Sequence, residues 1–262
     1  MGFISLHNHT ELCGHASGSI DEYIKAAIEK NITCFGFSDH APVSVNTRES
    51  MSSEETETYI DMVLSAKDRY AESIEILLAF EVDYPLHASF AASYFTDERI
   101  DYLIGSCHFI DGWAFDNEKY IDEFSKRDVD DIYTKYYKTL ESLVSSRLFN
   151  IVGHFDLPKK FGHRPLRDFG PTIESLAKKM SKEGMAFEVN TAGLIKPVGE
   201  MYPSKEIIDI FFRCNVPATM GSDSHSPQQA GCGYDLAIET LKAAGYRKLT
   251  VFRKRKPFEI VM

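Results

Sequence analysis

Seven histidines of this chain recur in a pattern that suits a metal site: His7, His9, His15, His40, His108, His154 and His225. Only His87 and His163 of its nine histidines fall outside the pattern. Carboxylates and their neighbours stand among them, in Ser38-Asp39-His40, Glu81-Val82-Asp83, Glu188-Val189-Asn190 and Ser222-Asp223-Ser224-His225. His7 and His9 lie at i and i+2, so on one strand both side chains point the same way. Asp223 and His225 repeat that spacing near the other end of the chain. Imidazole and carboxylate ligands without thiolate suit zinc, iron or manganese. Seven histidines with Glu81 and Asp223 exceed the needs of one ion, so two or three are expected. Paired ions about 3.5–4 Å apart activate a water and clamp a transferring phosphoryl group. The chemistry so indicated is phosphoester hydrolysis.

The elements that must position these residues alternate regularly. Phe3–His9, Thr33–Ser38, Ile74–Phe80, Tyr102–Cys107, Asn150–Gly153, Ala186–Val189 and Pro217–Gly221 read as short apolar strands. Helical patterns separate them. Ser19-x-x-Glu22 and Ser52-x-x-Glu55 are capping boxes that open the first two helices. Residues 129–148 form a long amphipathic helix through Ile132, Tyr136, Leu140, Leu143 and Val144. Later helices end at Gly184, start at Ser204 and end at Gly245, and Leu249–Phe252 reads as a final strand. Uniformly apolar strands alternating with helices imply a parallel sheet, and about seven such units closed on themselves make a TIM-like (β/α)7 barrel. The metal-binding groups then all stand at the C-terminal ends of the strands, the face where barrel active sites sit. A doubly wound open sheet would need a Gly-rich phosphate turn, and the sequence has none.

The 262 residues suit one α/β domain spanning 1–262, and 44% apolar content can fill its core. The formal net charge of −10 argues against nucleic-acid binding, which needs a basic footprint. No apolar run approaches a membrane span and Met1–Glu11 has no signal-peptide pattern, so neither membrane nor export is expected. Five cysteines without a C-x-x-C spacing suggest free thiols and a cytoplasmic setting. Cys13, beside the metal loop, reads as a small packing residue.

H-x-H-T near the N-terminus, S-D-H, a strand-end Glu, two strand-end His and G-S-D-x-H resemble the PHP (polymerase and histidinol phosphatase) superfamily. The resemblance spans essentially the whole chain. The stretches CGHASGS, SCHFIDGWAFDN, GHFDLPKKFGHRP and NTAGLIKPVGEMYPS are similar to its histidinol-phosphatase branch. The resemblance implies a distorted barrel and a trinuclear site of divalent transition metals. His7, His9, Glu81 and Asp223 would hold one ion. Glu81 would bridge to a second held by His108 and His154, and His15, His40 and His225 would hold the third. Asp39 would orient a ligand from behind.

The resemblance further implies hydrolysis of L-histidinol phosphate, a small phosphorylated substrate, in histidine biosynthesis. Arg164, whose guanidinium fork matches phosphate oxygens, is expected to stabilise charge in the reaction, with Lys159, Lys160 and Lys196 as further phosphate contacts. The branch usually has Arg where Ile195 stands, which leaves Lys196 as the cation of that loop. Asp223 or a water would protonate the leaving alkoxide. The segment Phe109–Phe124 reads as a lid, with Trp113 and Asp116 meeting the non-phosphate end of the substrate. The basic run Arg247–Lys256 reads as a solvated face. Two other readings compete: a PHP phosphoesterase acting on nucleotides, and a non-catalytic metal-binding module, which would be expected to have lost ligands.

Overall fold

A computed structural model describes residues 2–45 and 49–262. Seven strands form one parallel sheet: β1 (Phe3–Ser5), β2 (Ile32–His40), β3 (Glu75–Asp83), β4 (Tyr102–Ser106), β7 (Ile151–Val152), β8 (Ala186–Asn190) and β9 (Ala218–Gly221). They lie side by side in chain order. Backbone hydrogen bonds join the two edges, from Leu6 N to Met220 O at 2.9 Å and from Asp223 N to His7 O at 2.8 Å. The sheet therefore closes into a nearly complete (β/α)7 barrel.

Between the strands run α1 (Ile20–Glu29), α2 (Thr56–Arg69), α3 (Val129–Ser146), α4 (Gly170–Glu183), α5 (Lys205–Arg213) and α6 (Tyr234–Ala244). Each packs an apolar stripe on the sheet, such as Tyr23, Ile24 and Ala27 of α1. Ser19 and Glu22 make both bonds of a capping box there. The second expected box is only half formed: Ser52 N donates to the Glu55 carboxylate at 2.8 Å, but α2 starts one turn later. The segment before it is a turn, so Glu55 already has helical angles and its side chain makes no cap bond.

Large side chains fill the barrel, and some of their polar ends find partners inside it. Tyr102 donates to Leu6 O at 2.6 Å, crossing so close to Gly36 that a Cβ there would lie 1.7 Å from the hydroxyl. Asn8 knits three strands together: its Oδ1 accepts from Ser5, Ser222 and Ser224, and its Nδ2 donates to Gly36 O. Because Asn8 points into this network, His7 and His9 on either side of it point toward the barrel mouth.

Two hairpins lie outside the barrel sheet. The short strands β5 (Phe109–Ile110) and β6 (Trp113–Ala114) are joined by Asp111-Gly112, both at positive φ, which suits a tight hairpin turn. The expected last strand exists as β10 (Lys248–Arg253), but it pairs antiparallel with β11 (Lys256–Val261) and closes the barrel's underside. The basic run there is not simply solvated. Arg253 grips Glu75 with two bonds of 2.5 and 2.7 Å, and Arg255 donates to the carbonyls of Phe95 and Leu148. No helix among the described residues is long and apolar enough to cross a membrane.

Candidate metal centre

The strand ends bring five of the expected histidines around Glu81, and Asp223, His225 and the loop residue His15 join them through His9 and His40. The Glu81 carboxylate lies two residues before the end of β3 and is 1% exposed. Its two oxygens face different groups. Oε2 lies 3.2 Å from His7 Nε2, 3.1 Å from His40 Nδ1 and 3.6 Å from His9 Nε2. Oε1 lies 2.9 Å from His154 Nε2 and 3.5 Å from His108 Nε2. Asp223 Oδ1 adds to the first side, 3.0 Å from His9 Nε2. His7, His9 and Asp223 present ligand atoms within 4.8 Å of one another, as do His15, His40 and His225.

The path to this arrangement differs at one end of the chain. Strand β9 stops at Gly221, and Asp223 sits at φ +49° in a turn instead of continuing the strand. A Cβ at Gly221 would lie 2.4 Å from His7 Cβ and 2.8 Å from Glu188 Oε2, so this close approach admits only glycine. The turn folds His225 back, with its Nδ1 3.0 Å from Asp223 O.

Carboxylates hold three of the rings from behind. Asp39 faces His9 Nδ1 at 3.3 Å, Asp83 faces His108 Nδ1 at 2.8 Å, and Glu188 faces His7 Nδ1 at 2.8 and 3.0 Å. Thr10 donates to Asp39 through both its hydroxyl and its backbone N–H. Asp83 and Glu188 belong to the strand-end motifs that read as potential metal ligands or their orienting partners, and the structure places both behind histidine rings. Their signal was a charged residue within a buried apolar strand, which must find a partner there.

Charge in the site is organised by these contacts. Burial disfavours imidazolium at His9, yet hydrogen bonds to Asp223 and Asp39 outweigh it and hold the pKa up at about 9. At His108, burial is likewise overcome by Asp83 and Glu81, which lift the pKa to about 10. His7 is also raised, burial being outweighed by Glu188 and Glu81. Burial dominates at His40 and His225 and pushes both well down. Burial would raise Glu81 and Asp223, but the surrounding histidines hold both well below the carboxylate range.

The donor set fits divalent metal. Buried His7 Nε2 and His225 Nε2 make no hydrogen bond, an arrangement that costs free energy unless something else is coordinated there. Cys13 Sγ is also close to His9 and His225, but burial keeps it a neutral thiol.

A cavity of about 450 Å³ opens above these ligands, a volume suited to a small molecule. Val43, Phe109, Leu157, Leu194 and Ile195 supply apolar wall, and Asp116, Lys160 and Lys196 supply charge. Asp116 and Lys160 pair at 3.1 Å. Lys196 makes no ion pair among the described residues.

Three expected contacts are not at the cavity. Lys159 is buried beneath it, paired with Asp156 at 2.8 Å and Glu200 at 2.9 Å and donating to Met201 O. Desolvation would make an unpaired ammonium untenable there, so its charge is committed to structure. Arg164 lies outside on Glu200, at 2.5 Å and half exposed. Trp113 packs against Phe124 and under Arg127 inside the insertion, with its ring turned into the protein.

A (β/α)7 barrel with a histidine-rich, carboxylate-bridged centre at its mouth is a metal-binding enzyme scaffold. Comparison with known proteins makes the class specific. The family model described as PHP domain matches residues 5–192, and the chain belongs to that family. A protein of Deinococcus radiodurans named "Probable histidinol-phosphatase" is 34% identical over 97% of this chain and 98% of its own. One of the same name from Schizosaccharomyces pombe is 24% identical over 96% of this chain and 90% of its own. The fold matches the crystal structure of histidinol phosphate phosphatase from Lactococcus lactis, complexed with zinc, L-histidinol and phosphate. That match has a TM-score of 0.82 at 18% identity and covers 98% of each chain.

Proposed function

We propose that this protein hydrolyses L-histidinol phosphate to L-histidinol and phosphate, using two or three divalent ions drawn from zinc, manganese and iron. The observation that carries the reading is the division of the cavity. Seven of the nine ligand candidates line it, with Lys196, which has no ion pair among the described residues, the acid Asp116 and an apolar wall. The 34% identity to a named histidinol-phosphatase along nearly the whole chain supports the same substrate.

Three groups of ligands follow from the distances. His7, His9 and His40 face Oε2 of Glu81, with Asp223 beside His7 and His9; His108 and His154 face its Oε1; His15 and His225 stand with His40 at the rim. Ions held there, when bound, supply positive charge to the phosphoryl oxygens and make a nucleophile of water at neutral pH. The chain's own part is to position the substrate. Lys196 binds phosphate oxygens, Asp116 receives the amino group, and Phe109 and Leu194 bury the imidazole ring. Asp223, with its pKa held low by its histidines against the effect of burial, stays ionised and serves as a ligand and not as the proton donor. Five free cysteines suit a reducing compartment, and we place the enzyme in the cytoplasm.

The test is release of phosphate across a panel of esters by metal-loaded enzyme. Histidinol phosphate is expected to exceed p-nitrophenyl phosphate in kcat/KM by orders of magnitude despite its poorer leaving group, because the amine contributes binding in the transition state. Nucleotides outperforming histidinol phosphate would instead assign the enzyme to another branch of the family. Absence of turnover with every ester would leave a metal-binding module.

A further inference from the structure

A buried carboxylate stands behind one ring of the centre. Glu188 is 1% exposed at the middle of β8, and every partner it has is a donor. Oε1 accepts from His154 N at 2.8 Å and from Asn190 Nδ2 at 2.9 Å. The Asn190 amide is fixed in that sense because its Oδ1 accepts from Ala192 N at 3.0 Å. Both oxygens face His7 Nδ1, Oε2 nearer at 2.8 Å and Oε1 at 3.0 Å. An acceptor-only group at this place keeps a proton on Nδ1, so Nε2, which faces Glu81, is the nitrogen left to take an ion.

We propose that Glu188 is a positioning residue that makes His7 a metal ligand by holding the proton on its far nitrogen. The inference rests on the reading of His7 as a ligand. It gives the amide variant a defined outcome. In Glu188→Gln the amide oxygen must take the Oε1 place, since His154 N and Asn190 Nδ2 both donate there. The amide NH₂ then takes the Oε2 place and donates to His7 Nδ1. A donor then stands where the nearer acceptor stood, and His7 is pushed toward the other tautomer, with a proton on Nε2 pointing at the ion's position. The backbone of His154 keeps its bond, so the damage is confined to His7.

The experiment is equilibrium dialysis of wild type, Glu188→Gln, Glu188→Asp and Asp83→Asn against zinc with a competing chelator. Thermal midpoints of the metal-free proteins and ¹⁵N-histidine spectra of the zinc-loaded ones accompany it. Glu188→Gln is expected to weaken one ion by about 10- to 100-fold or more and to lose the His7 signal of a ring protonated at Nδ1 and metallated at Nε2. Glu188→Asp keeps an acceptor-only group and should hold that ion better than Gln does, even if its shorter reach lowers the midpoint. Asp83→Asn should spare the His7 signal and perturb that of His108. Glu188→Gln with wild-type ion count, affinity and His7 spectrum overturns the inference. So does Gln holding the ion better than Asp. A wild-type protein that binds no zinc overturns the underlying reading instead, a result the dialysis separates from the others.

Discussion

Asp116 and Lys160 close on each other at the cavity wall, carboxylate to ammonium at 3.1 Å, one from the insertion after β6 and one from the turn after β7. Burial would raise the Asp116 carboxyl, yet Lys160 and His108 hold it below its usual value, so it stays anionic and ready for a cation. A substrate amine can replace Lys160 as its partner. Asp116→Ala should therefore lower kcat/KM for histidinol phosphate by about 10- to 100-fold, as loss of a charged hydrogen bond does. Hydrolysis of p-nitrophenyl phosphate, which has no amine, should change little. Equal losses on both esters would remove Asp116 from amine recognition.

Lys196 and Arg164 exchange the importance that sequence gave them. Lys196 lines the cavity with no acidic partner among the described residues, whereas Arg164 spends its guanidinium on Glu200 outside it. Lys196→Ala should cost about 10- to 100-fold in kcat/KM on both esters, and Arg164→Ala only a few-fold. Steady-state kinetics with the reverse order would show that Arg164 swings inward to the phosphate.

Glu81→Ala should remove most activity and weaken ions on both sides of the carboxylate, because each oxygen faces a different set of histidines. His87→Ala is the control: that ring stacks on Tyr84 at 5.1 Å, and turnover should stay within a few-fold. Elemental analysis together with turnover decides it, and full metal content in Glu81→Ala would rule out a shared ligand.

The contrast between these residues explains what the sequence could convey. Barrel order and the nine ligand candidates were legible because short apolar strands and the polar residues ending them are local patterns. The commitments of cations were not. Lys159 and Lys160 are adjacent in one turn, yet one is buried on Asp156 and Glu200 and the other faces the cavity. Only the packing of that turn against residues 196–202 separates them, through contacts such as Val198 N to Lys160 O. Asp223 shows the same limit in the backbone: its spacing to His225 is strand-like, but a positive φ at Asp223 takes both side chains out of the strand geometry.

Metal-free and metal-loaded protein should respond differently to pH. His9 and His108 have pKa values raised to about 9 and about 10, with burial outweighed by their carboxylate partners. Raised histidines stabilise the metal-free fold fully below their unfolded value, about 6.5, and that contribution is lost as pH rises through the folded values. An ion bound at Nε2 must displace those same protons, so loading near neutral pH releases protons and tightens as pH increases. The gap in thermal midpoint between loaded and metal-free protein is therefore expected to widen between about pH 6 and about pH 8.5. Loading in weak buffer at neutral pH should also acidify the solution. A gap that stays constant across this range, with no protons released, would mean that His9 and His108 are already neutral in the metal-free protein. The Asp39 and Asp83 contacts would then orient the rings without charging them.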